Sequence, residues 1–217
     1  MTPVFANSAT VRARESLILR GGRHKPVELR VRFGLMDHPR IGPVLIDTGY
    51  TRQTVEGARS LALRAYARAL RPHLNEAGQP SAVLSRRGVS PEDDACIILT
   101  HFHADHISGL RQFPNARIIQ THRDPQRTTA SFSSMLAHGF GVFSDQVGAP
   151  RIARDWLAIN ANMVEAAWQV RQQHPQAFMD VSYYDLMKDP MTQVERIYAF
   201  AGITLSDEAR AAMEASR

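Results

Sequence analysis

The sequence predicts an α/β protein with a mixed β-sheet flanked by helices, and three observations support this class. Charged and apolar side chains alternate along residues 28–33, which is the period of a half-buried strand. Short apolar, β-branched runs at 95–99 and 116–121 are typical of buried strands. Residues 151–173 repeat apolar side chains at helical spacing. Strands and helices therefore alternate along the chain.

The first part of the chain is predicted to be mostly β-strand. Three antiparallel strands are expected from residue 15 to about residue 50, with a hairpin turn at the glycine-rich residues 21–25. A helix at about 55–70 and a polar loop at 75–91, rich in proline and glycine, lead into the strand at 95–99.

The second part is organised by helix-capping residues. Asp124 is a preferred N-cap and predicts a helix over 125–137, while Asp189 and Ser206 predict two further helices near the C-terminus. A long helix is predicted over 151–173, and its inward residues are Ile152, Trp156, Ile159, Met163, Ala167 and Val170.

Composition limits the classes of partner. A chain of 217 residues can form one or two domains, and its single cysteine, Cys96, excludes an intrachain disulfide. The net charge of +5 is spread along the chain without interleaved aromatic residues, so no nucleic-acid partner is expected. Neither a signal peptide nor a membrane span is expected, so the predicted location is the cytoplasm. The predicted partner is a small-molecule substrate.

Residues 97–106 concentrate the side chains that bind metals. They read Ile97-Ile98-Leu99-Thr100-His101-Phe102-His103-Ala104-Asp105-His106. A strand ending near Leu99 would place His101 and His103 on one side, and a turn would bring Asp105 and His106 close by. These donors suit zinc, with manganese or iron as alternatives, and their number indicates one or two ions. The alternative is a polar loop that holds three histidines by coincidence.

These residues carry a family resemblance. Together with the apolar strand ending in Asp47-Thr48-Gly49 and with Gly109-Leu110, the His-x-His-x-Asp-His motif resembles the metallo-β-lactamase superfamily, and within it the lactonase-like hydrolases. The resemblance covers about residues 29–119. It implies that His101 and His103 bind one metal and Asp105 and His106 a second, that Asp47 shapes the site, and that a bridging hydroxide attacks an ester, lactone or amide carbonyl. Asp105 is thereby the candidate catalytic residue.

The resemblance ends after Leu110. That superfamily takes further histidine and aspartate ligands from its second half, in sequence contexts that this chain does not repeat. His138 is the best candidate for a third ligand, and a homodimer could supply missing ligands from a second copy.

The remainder of the chain resembles a different family. A strand leads into Arg123-Asp124-Pro125, Ser131 follows two helical turns later, and residues 180–190 give a strand, Tyr-x-Asp-Leu and an Asp-Pro helix start. This order resembles the bacterial sulfotransferases. It implies that Arg123 and Ser131 hold the 3′-phosphate of 3′-phosphoadenosine 5′-phosphosulfate, which suits a guanidinium and a helix N-terminus. The alternative is a capped helix beside an exposed arginine.

The two resemblances together indicate a chimera. Residues 1–113 are expected to form half of a metallo-β-lactamase-like αββα sandwich, and residues 114–217 a sulfotransferase-like βαα part. The N-terminal phosphate loop of sulfotransferases has no counterpart before residue 113. Three functions follow as hypotheses: a metal-dependent hydrolase with impaired turnover, a nucleotide binder of the sulfotransferase type, and a non-catalytic fusion. The hydrolase is the favoured one.

Overall fold

The structure, a computed structural model, describes residues 2–57, 61, 64, 68, 71–93, 95–142 and 144–216. Most of the predicted helix at about 55–70 lies outside these residues. The described strands form one mixed sheet in the order β4-β1-β2-β3-β5-β6-β7. Their bounds are Val4–Arg14 (β1), Pro26–His38 (β2), Gly42–Ile46 (β3), His73–Leu74 (β4), Cys96–Leu99 (β5), Arg117–His122 (β6) and Phe178–Ser182 (β7). Flanking helices complete the predicted α/β class, which is confirmed.

The antiparallel side of the sheet differs from the prediction in where its first strand lies. Strand β1 ends at Arg14, so the expectation that the strands begin at residue 15 is wrong. A 3₁₀ turn, Glu15–Leu17, and the predicted glycine turn join β1 to β2. A Cβ atom on Gly22 would lie 2.7 Å from the carbonyl group of Glu15, so this compact turn requires glycine there.

Strands β3, β5, β6 and β7 run parallel to one another. Their carboxyl ends therefore meet at one edge of the sheet, which we call the carboxyl edge. Asp47, Thr100, Arg123 and Tyr183 are the residues that directly follow these strands. The β5–β6 pairing also crosses the predicted boundary between residues 113 and 114, so both parts of the chain contribute to one sheet.

Helices cover both faces of the parallel strands. Their bounds are Arg52–Val55 (α1), Pro80–Ser85 (α2), Ala104–Ile107 (α3), Pro125–Phe140 (α4), Ala149–Gln173 (α5), Tyr183–Lys188 (α6), Pro190–Phe200 (α7) and Asp207–Ala215 (α8), with short 3₁₀ turns at Glu76–Gly78, Leu110–Gln112 and Pro175–Ala177. The predicted caps are confirmed: Asp124, Asp189 and Ser206 each accept a hydrogen bond from a backbone N–H in the first turn of the following helix. No described helix is long and apolar enough to cross a membrane.

The long helix α5 buries less than its sequence pattern predicts. Ile159 and Val170, two of the predicted inward residues, are 43% and 51% exposed. The helix packs mainly on α4, and near its C-terminal end Arg171 reaches the polar residues Gln120 and Asp180. A single packed side cannot cover the whole apolar stripe, so part of it remains at the surface.

Alternating residues of β3, β5 and β6 build the core on the two faces of the sheet. One cluster contains Leu45, Ile97 and Ile118, and the other contains Cys96 and Ile119. Burial raises the pKa of the Cys96 thiol to about 11, in spite of the nearby Arg117 charge. The cysteine is therefore the inert core residue that its apolar strand predicts.

Candidate functional site

The loops that follow β3 and β5 bring five metal-binding side chains together at the carboxyl edge. His101 lies in the loop after β5, His103 occupies the N-cap position of α3, and Asp105 and His106 lie within that short helix. Asp47 reaches them from the end of β3. We call these five residues the histidine cluster. The grouping matches the residues that the sequence singled out.

Asp47 is the anchor of this cluster. Its carboxylate accepts hydrogen bonds from the backbone N–H and the hydroxyl of Thr100, at 2.9 and 2.8 Å, and lies 2.7 Å from Nδ1 of His106. The residue is 5% exposed and adopts a φ of 62°, a left-handed conformation that aspartate tolerates better than most residues. Asp47 thus fixes the His106 ring and the end of β5 at once.

A second set of bonds locks the two loops to each other. The backbone N–H and hydroxyl of Thr48 both donate to the carbonyl of His106, each at 2.8 Å. The N–H of Gly109 donates to the Thr48 hydroxyl at 2.9 Å. A Cβ atom on Gly109 would come within 2.8 Å of the Thr48 Cβ atom, so only glycine fits. The Asp47-Thr48-Gly49 and Gly109 elements therefore hold the loop that carries the histidines.

The donor atoms of the histidine cluster fall into two pairs. Nε2 of His101 lies 2.9 Å from Nδ1 of His103, and Nε2 of His106 lies 3.3 Å from a carboxylate oxygen of Asp105. The rings of His101 and His106 are 3.8 Å apart between centroids, so the two pairs are neighbours. Each contact joins two residues that the metallo-β-lactamase resemblance assigns to one ion, and the assignment itself stays a prediction.

Burial and charge set the protonation of the cluster. Burial, assisted by the neighbouring histidines, lowers the pKa of His101, and burial also lowers the pKa of His103. Burial would lower the pKa of His106 as well, but hydrogen bonds to Asp105 and Asp47 outweigh it and raise this pKa to about 9. Burial would raise the pKa of Asp105, but the His106 contacts lower it below its usual range. His101 and His103 are thus neutral at pH 7, the state in which imidazole binds a metal.

The cluster fits a divalent ion in donor type but not in the arrangement of its donors. Three imidazoles and two carboxylates are the ligands of zinc, manganese and iron. Among the described residues, however, no three His, Cys, Asp or Glu side chains form a group that could hold an ion. His138, the predicted third ligand, lies exposed in the last turn of α4. The described residues therefore do not assemble a complete metal site.

Arg123 and its surroundings form the neighbouring part of the carboxyl edge. Its guanidinium carbon lies 4.8 Å above the centroid of the Tyr183 ring, within the range of a cation–π contact. Asp124 begins α4, and Ser131 lies exposed two turns along it. The sequence singled out Arg123 and Ser131, whereas the aromatic partner Tyr183 was not predicted.

An aromatic contact connects these two parts of the carboxyl edge. Phe132, beside Ser131 on α4, lies 5.5 Å from the His103 ring between centroids. Trp156 of α5 meets Phe132 edge-on at 5.3 Å. Residues from both predicted parts of the chain thus border the histidine cluster.

Comparison with known sequences identifies the family. A sequence model of the sulfotransferase family matches residues 38–207, more than three quarters of the chain. The chain belongs to the sulfotransferase family.

This family member is also similar to metallo-hydrolases over a shorter stretch. It is 33% identical over 78 residues to an N-acyl homoserine lactonase of Bacillus cereus, a match that covers 36% of this chain and 31% of the relative. It is 35% identical over 81 residues to metallo-beta-lactamase domain-containing protein 1 of Mus musculus, which covers 37% of this chain and 22% of the relative. The chain therefore spans less than a third of each of these relatives.

Solved structures of both kinds are similar to part of the chain. A sulfotransferase of Mycobacterium tuberculosis (STF1) matches with a TM-score of 0.46 and 31% identity, over 56% of this chain and 34% of that chain. A mutant of B. thuringiensis AiiA with bound N-decanoyl-L-homoserine matches with a TM-score of 0.43 and 23% identity, over 59% of this chain and 51% of that chain. The family model and the metallo-hydrolase relatives together confirm the mixture of two resemblances that the sequence indicates.

Sequence reasoning did not predict the polar cleft that lies beneath α5. It has a volume of about 470 Å³, and Arg171 binds both carboxylate oxygens of Asp180 there, at 2.7 and 2.6 Å. His122 lies 2.5 Å from the same carboxylate. The Arg171 hydrogen bond is the main reason that the pKa of Asp180 lies below its usual range. Polar residues at alternate positions of β6 and β7 were the available signal.

Proposed function

We propose that the histidine cluster is the centre of a metal-dependent hydrolase that acts on an ester- or lactone-type carbonyl. The observation that supports this most directly is that two pairs of potential metal ligands lie beside each other at the carboxyl edge. These pairs are His101 with His103 and Asp105 with His106. Ordinary packing gives no reason for three imidazoles to stand together in this way, whereas metal binding does.

The ligand assignment follows from the contacts. His101 and His103 would hold one ion, with zinc as the first choice and manganese or iron as alternatives. Asp105 and His106 would hold a second ion, which would have to displace the proton that the raised pKa of His106 retains at pH 7. Asp47 faces Nδ1 of His106 and leaves Nε2 beside Asp105, the arrangement in which a carboxylate orients a histidine ligand. A bound ion would supply a polarised carbonyl and a water of lowered pKa.

The protein's own residues then position the substrate. Phe132 and Trp156 form an apolar wall next to His103, against which the acyl or alcohol part of an ester can pack. Thr100 and Asp47, which are hydrogen-bonded to each other, keep the cluster in place. Because each donor pair lacks a third ligand among the described residues, we expect weak metal binding and slow turnover.

Ester hydrolysis with added zinc tests this function. Wild-type protein should hydrolyse 4-nitrophenyl acetate or a γ-lactone in proportion to enzyme concentration, and a chelator should stop the reaction. His103→Ala should reduce the rate at least about tenfold, because one ligand pair is lost. His73→Ala is the matched control, since His73 is exposed on the edge strand β4. Equal rates in the two variants would contradict the proposal and favour a non-catalytic fusion.

Binding of a 3′-phosphorylated nucleotide is the second candidate function. The observation that favours it is the placement of Arg123 over Tyr183 at the carboxyl ends of β6 and β7, beside the start of α4. Arg123 and Ser131 would hold the 3′-phosphate of 3′-phosphoadenosine 5′-phosphosulfate, with no sulfuryl transfer expected in the absence of a phosphate loop.

A nucleotide titration tests the second candidate. Adenosine 3′,5′-bisphosphate should raise the melting temperature of wild-type protein and of Arg127→Ala, an exposed arginine of the same helix. It should leave Arg123→Ala unchanged. The same shift in both variants would contradict a role for Arg123.

The boundary between residues 113 and 114 is part of the same proposal. Phe113 is 3% exposed and packs in the core, whereas Pro114 and Asn115 are exposed in the turn that leads into β6. A junction in this turn would leave the strands on both sides intact. We therefore retain residues 1–113 and 114–217 as the two parts of the chain.

A further inference from the structure

The net positive charge of the chain is concentrated in the hairpin that β1 and β2 form. Residues 12–32 of this hairpin hold seven basic and two acidic side chains, a net charge of +5, and the complete chain also has a net charge of +5. Basic and acidic side chains therefore balance in the rest of the chain, which corrects the expectation that the excess charge is spread along it. A charge asymmetry of this kind is typical of a contact with an anionic partner.

The register of the two strands gathers many of these charges on one face of the hairpin. Arg12 lies opposite Glu28, and alternate residues of a strand point to the same side. The arginines on this shared face are Arg12, Arg14, Arg30 and Arg32, and each of them is exposed. The described part of the chain provides no ion pair for any of the four. Their guanidinium groups are thus available to a partner.

The end of the hairpin projects from the sheet. Strand β3 pairs with β2 only within residues 34–38, and β4 pairs with β1 only within residues 9–10. Among the described strands, residues 11–14 and 26–30 therefore pair only with each other. Leu29, on the face opposite to the arginines, is 42% exposed, so this end of the hairpin is only partly covered by the rest of the protein.

The turn at this end presents two aliphatic side chains to solvent. Ile18 and Leu19 follow the 3₁₀ turn and are 46% and 59% exposed. The turn is held by its own backbone: the N–H of Leu19 donates to the carbonyl of Glu15 at 2.8 Å, and the N–H of Gly22 donates to the carbonyl of Leu19 at 2.9 Å. The two apolar side chains are therefore displayed together by an ordered turn.

Basic side chains flank the two aliphatic residues. Arg14 precedes the turn, Arg23 and Lys25 follow it, and all three are exposed. Arg20 lies 2.6 Å from Asp145 and so ties the turn to the loop after α4. An apolar tip between cationic side chains matches the layers of an anionic membrane surface, where charged headgroups lie above an acyl boundary.

We propose that the β1–β2 hairpin docks the protein on the surface of an anionic lipid bilayer. Ile18 and Leu19 enter the boundary between headgroups and acyl chains, and the basic side chains contact lipid phosphates and carboxylates. A nucleic acid would also attract the arginines, but it offers no apolar layer to the two aliphatic residues. Residues 12–32 contain no Phe, Tyr or Trp on which a base could stack.

Co-sedimentation with lipid vesicles tests this surface on the full chain. Wild-type protein should bind phosphatidylcholine vesicles that contain phosphatidylserine, and should bind pure phosphatidylcholine vesicles at least about tenfold more weakly. Added salt should weaken the binding, because it screens the charges. Arg23→Gln/Lys25→Gln should reduce binding to the anionic vesicles at least about tenfold. Arg127→Gln/Arg154→Gln removes the same charge from exposed positions of α4 and α5 and should stay within about twofold of wild type.

Two measurements at the tip separate insertion from attraction of charge alone. Ile18→Ser/Leu19→Ser should weaken binding to the anionic vesicles at least about tenfold, with an unchanged melting temperature because both side chains are exposed. Leu19→Cys can be labelled selectively with an environment-sensitive fluorophore, since Cys96 is buried and its thiol pKa is raised. This label should become brighter when anionic vesicles are added, whereas a label on Leu157→Cys of α5 should not.

Three outcomes would overturn the proposal. The first is equal binding to both kinds of vesicle, or binding to neither. The second is vesicle binding that Ile18→Ser/Leu19→Ser leaves unchanged, because charge attraction alone does not require the tip. The third is binding of a DNA or RNA duplex that Arg23→Gln/Lys25→Gln abolishes, without vesicle binding, which would favour a nucleic-acid partner instead.

Discussion

The histidine cluster and the Arg123 region lie at the same edge of one sheet, but they are held in different ways. Asp47 is buried and touches Thr100 and His106 through short hydrogen bonds. Arg123 is exposed and is held by a contact with the face of Tyr183. The cluster is therefore positioned before any ligand arrives, whereas an anion would have to order the arginine.

The difference shows where each half of the site obtains its rigidity. Among the described residues, the hydrogen bonds that Asp47, Thr48 and Gly109 make to fix the cluster come from loops within residues 47–109. The later part of the chain adds an aromatic wall, Phe132 with Trp156, and one long hydrogen bond, from the Thr121 hydroxyl to the Thr100 carbonyl at 3.4 Å. Changes in the early loops should consequently cost more stability than changes in the wall.

The largest effect is expected for Asp47→Ala. Removing this carboxylate leaves the Thr100 N–H and His106 Nδ1 without their buried partner, and alanine fits the positive φ of 62° less well. We expect a loss of about 2–4 kcal/mol in the free energy of unfolding, measured with urea. Asp145→Ala is the control, because that carboxylate is 87% exposed. A similar loss in the free energy of unfolding for both variants would contradict the role of Asp47 in holding the cluster.

Gly109→Ala should give the next largest effect. Its Cβ atom would lie 2.8 Å from the Cβ atom of Thr48, which must then move away from the His106 carbonyl. We expect about 1–3 kcal/mol of destabilisation. Gly139→Ala provides the contrast, since a Cβ atom there meets nothing within 4 Å inside α4, and it should be neutral or stabilising. Thermal melts that rank the two variants in the opposite order would contradict the role of Gly109.

Phe132→Ala tests the aromatic wall and should have a smaller effect on stability. The ring is half-buried between His103 and Trp156, so its loss should cost about 1–2 kcal/mol and make the environment of Trp156 more polar. Tryptophan emission should shift to longer wavelength. Met135→Ala, which changes an exposed side chain of the same helix, should leave emission unchanged. If the two variants have the same emission spectrum, Phe132 does not contact Trp156 as described and is not part of the site.

The smallest effect concerns acid stability at the Asp180 cleft. The Arg171 hydrogen bond holds the pKa of Asp180 below its usual range, so the charged carboxylate stabilises the folded chain above the unfolded value of about 4. This contribution is lost as the pH falls through the lower, folded-state pKa. Asp180 is 54% exposed, so solvent screening limits it to about 1 kcal/mol or less. Urea melts should give a higher free energy of unfolding for wild type than for Asp180→Asn at pH 6, and equal values for the two proteins at the lowest pH. A difference that stays constant with pH would contradict this prediction.

Features that depend on neighbouring residues could be predicted from the sequence, whereas features that depend on contacts between distant parts of the chain could not. The caps Asp124, Asp189 and Ser206 each act within three residues, so their helices were predictable. The first strand was misplaced although residues 8–14 alternate between polar and apolar side chains, because two of the three apolar residues are alanine, a weak strand signal. Pairing with β2 decides the conformation of this segment. The exposure of Ile159 depends on what packs against α5, which no local pattern specifies.

The candidate site follows the same rule. The histidine motif and Asp47 were found because their residue types and spacing are distinctive on their own. The contact of Phe132 with His103 and of Tyr183 with Arg123 joins residues far apart in sequence. Sequence reasoning could name Trp156 only as a helix core residue, because its neighbour Phe132 comes from another helix.

Metal content per chain is the most direct test of the histidine cluster. Elemental mass spectrometry on a monodisperse fraction, purified without chelator and loaded with zinc, should find about one zinc or more per chain in wild type and in His73→Ala. The double variant His101→Ala/His103→Ala should lose most of this metal. Equal zinc in all three proteins, or none in wild type, would contradict a metal centre at this edge of the sheet.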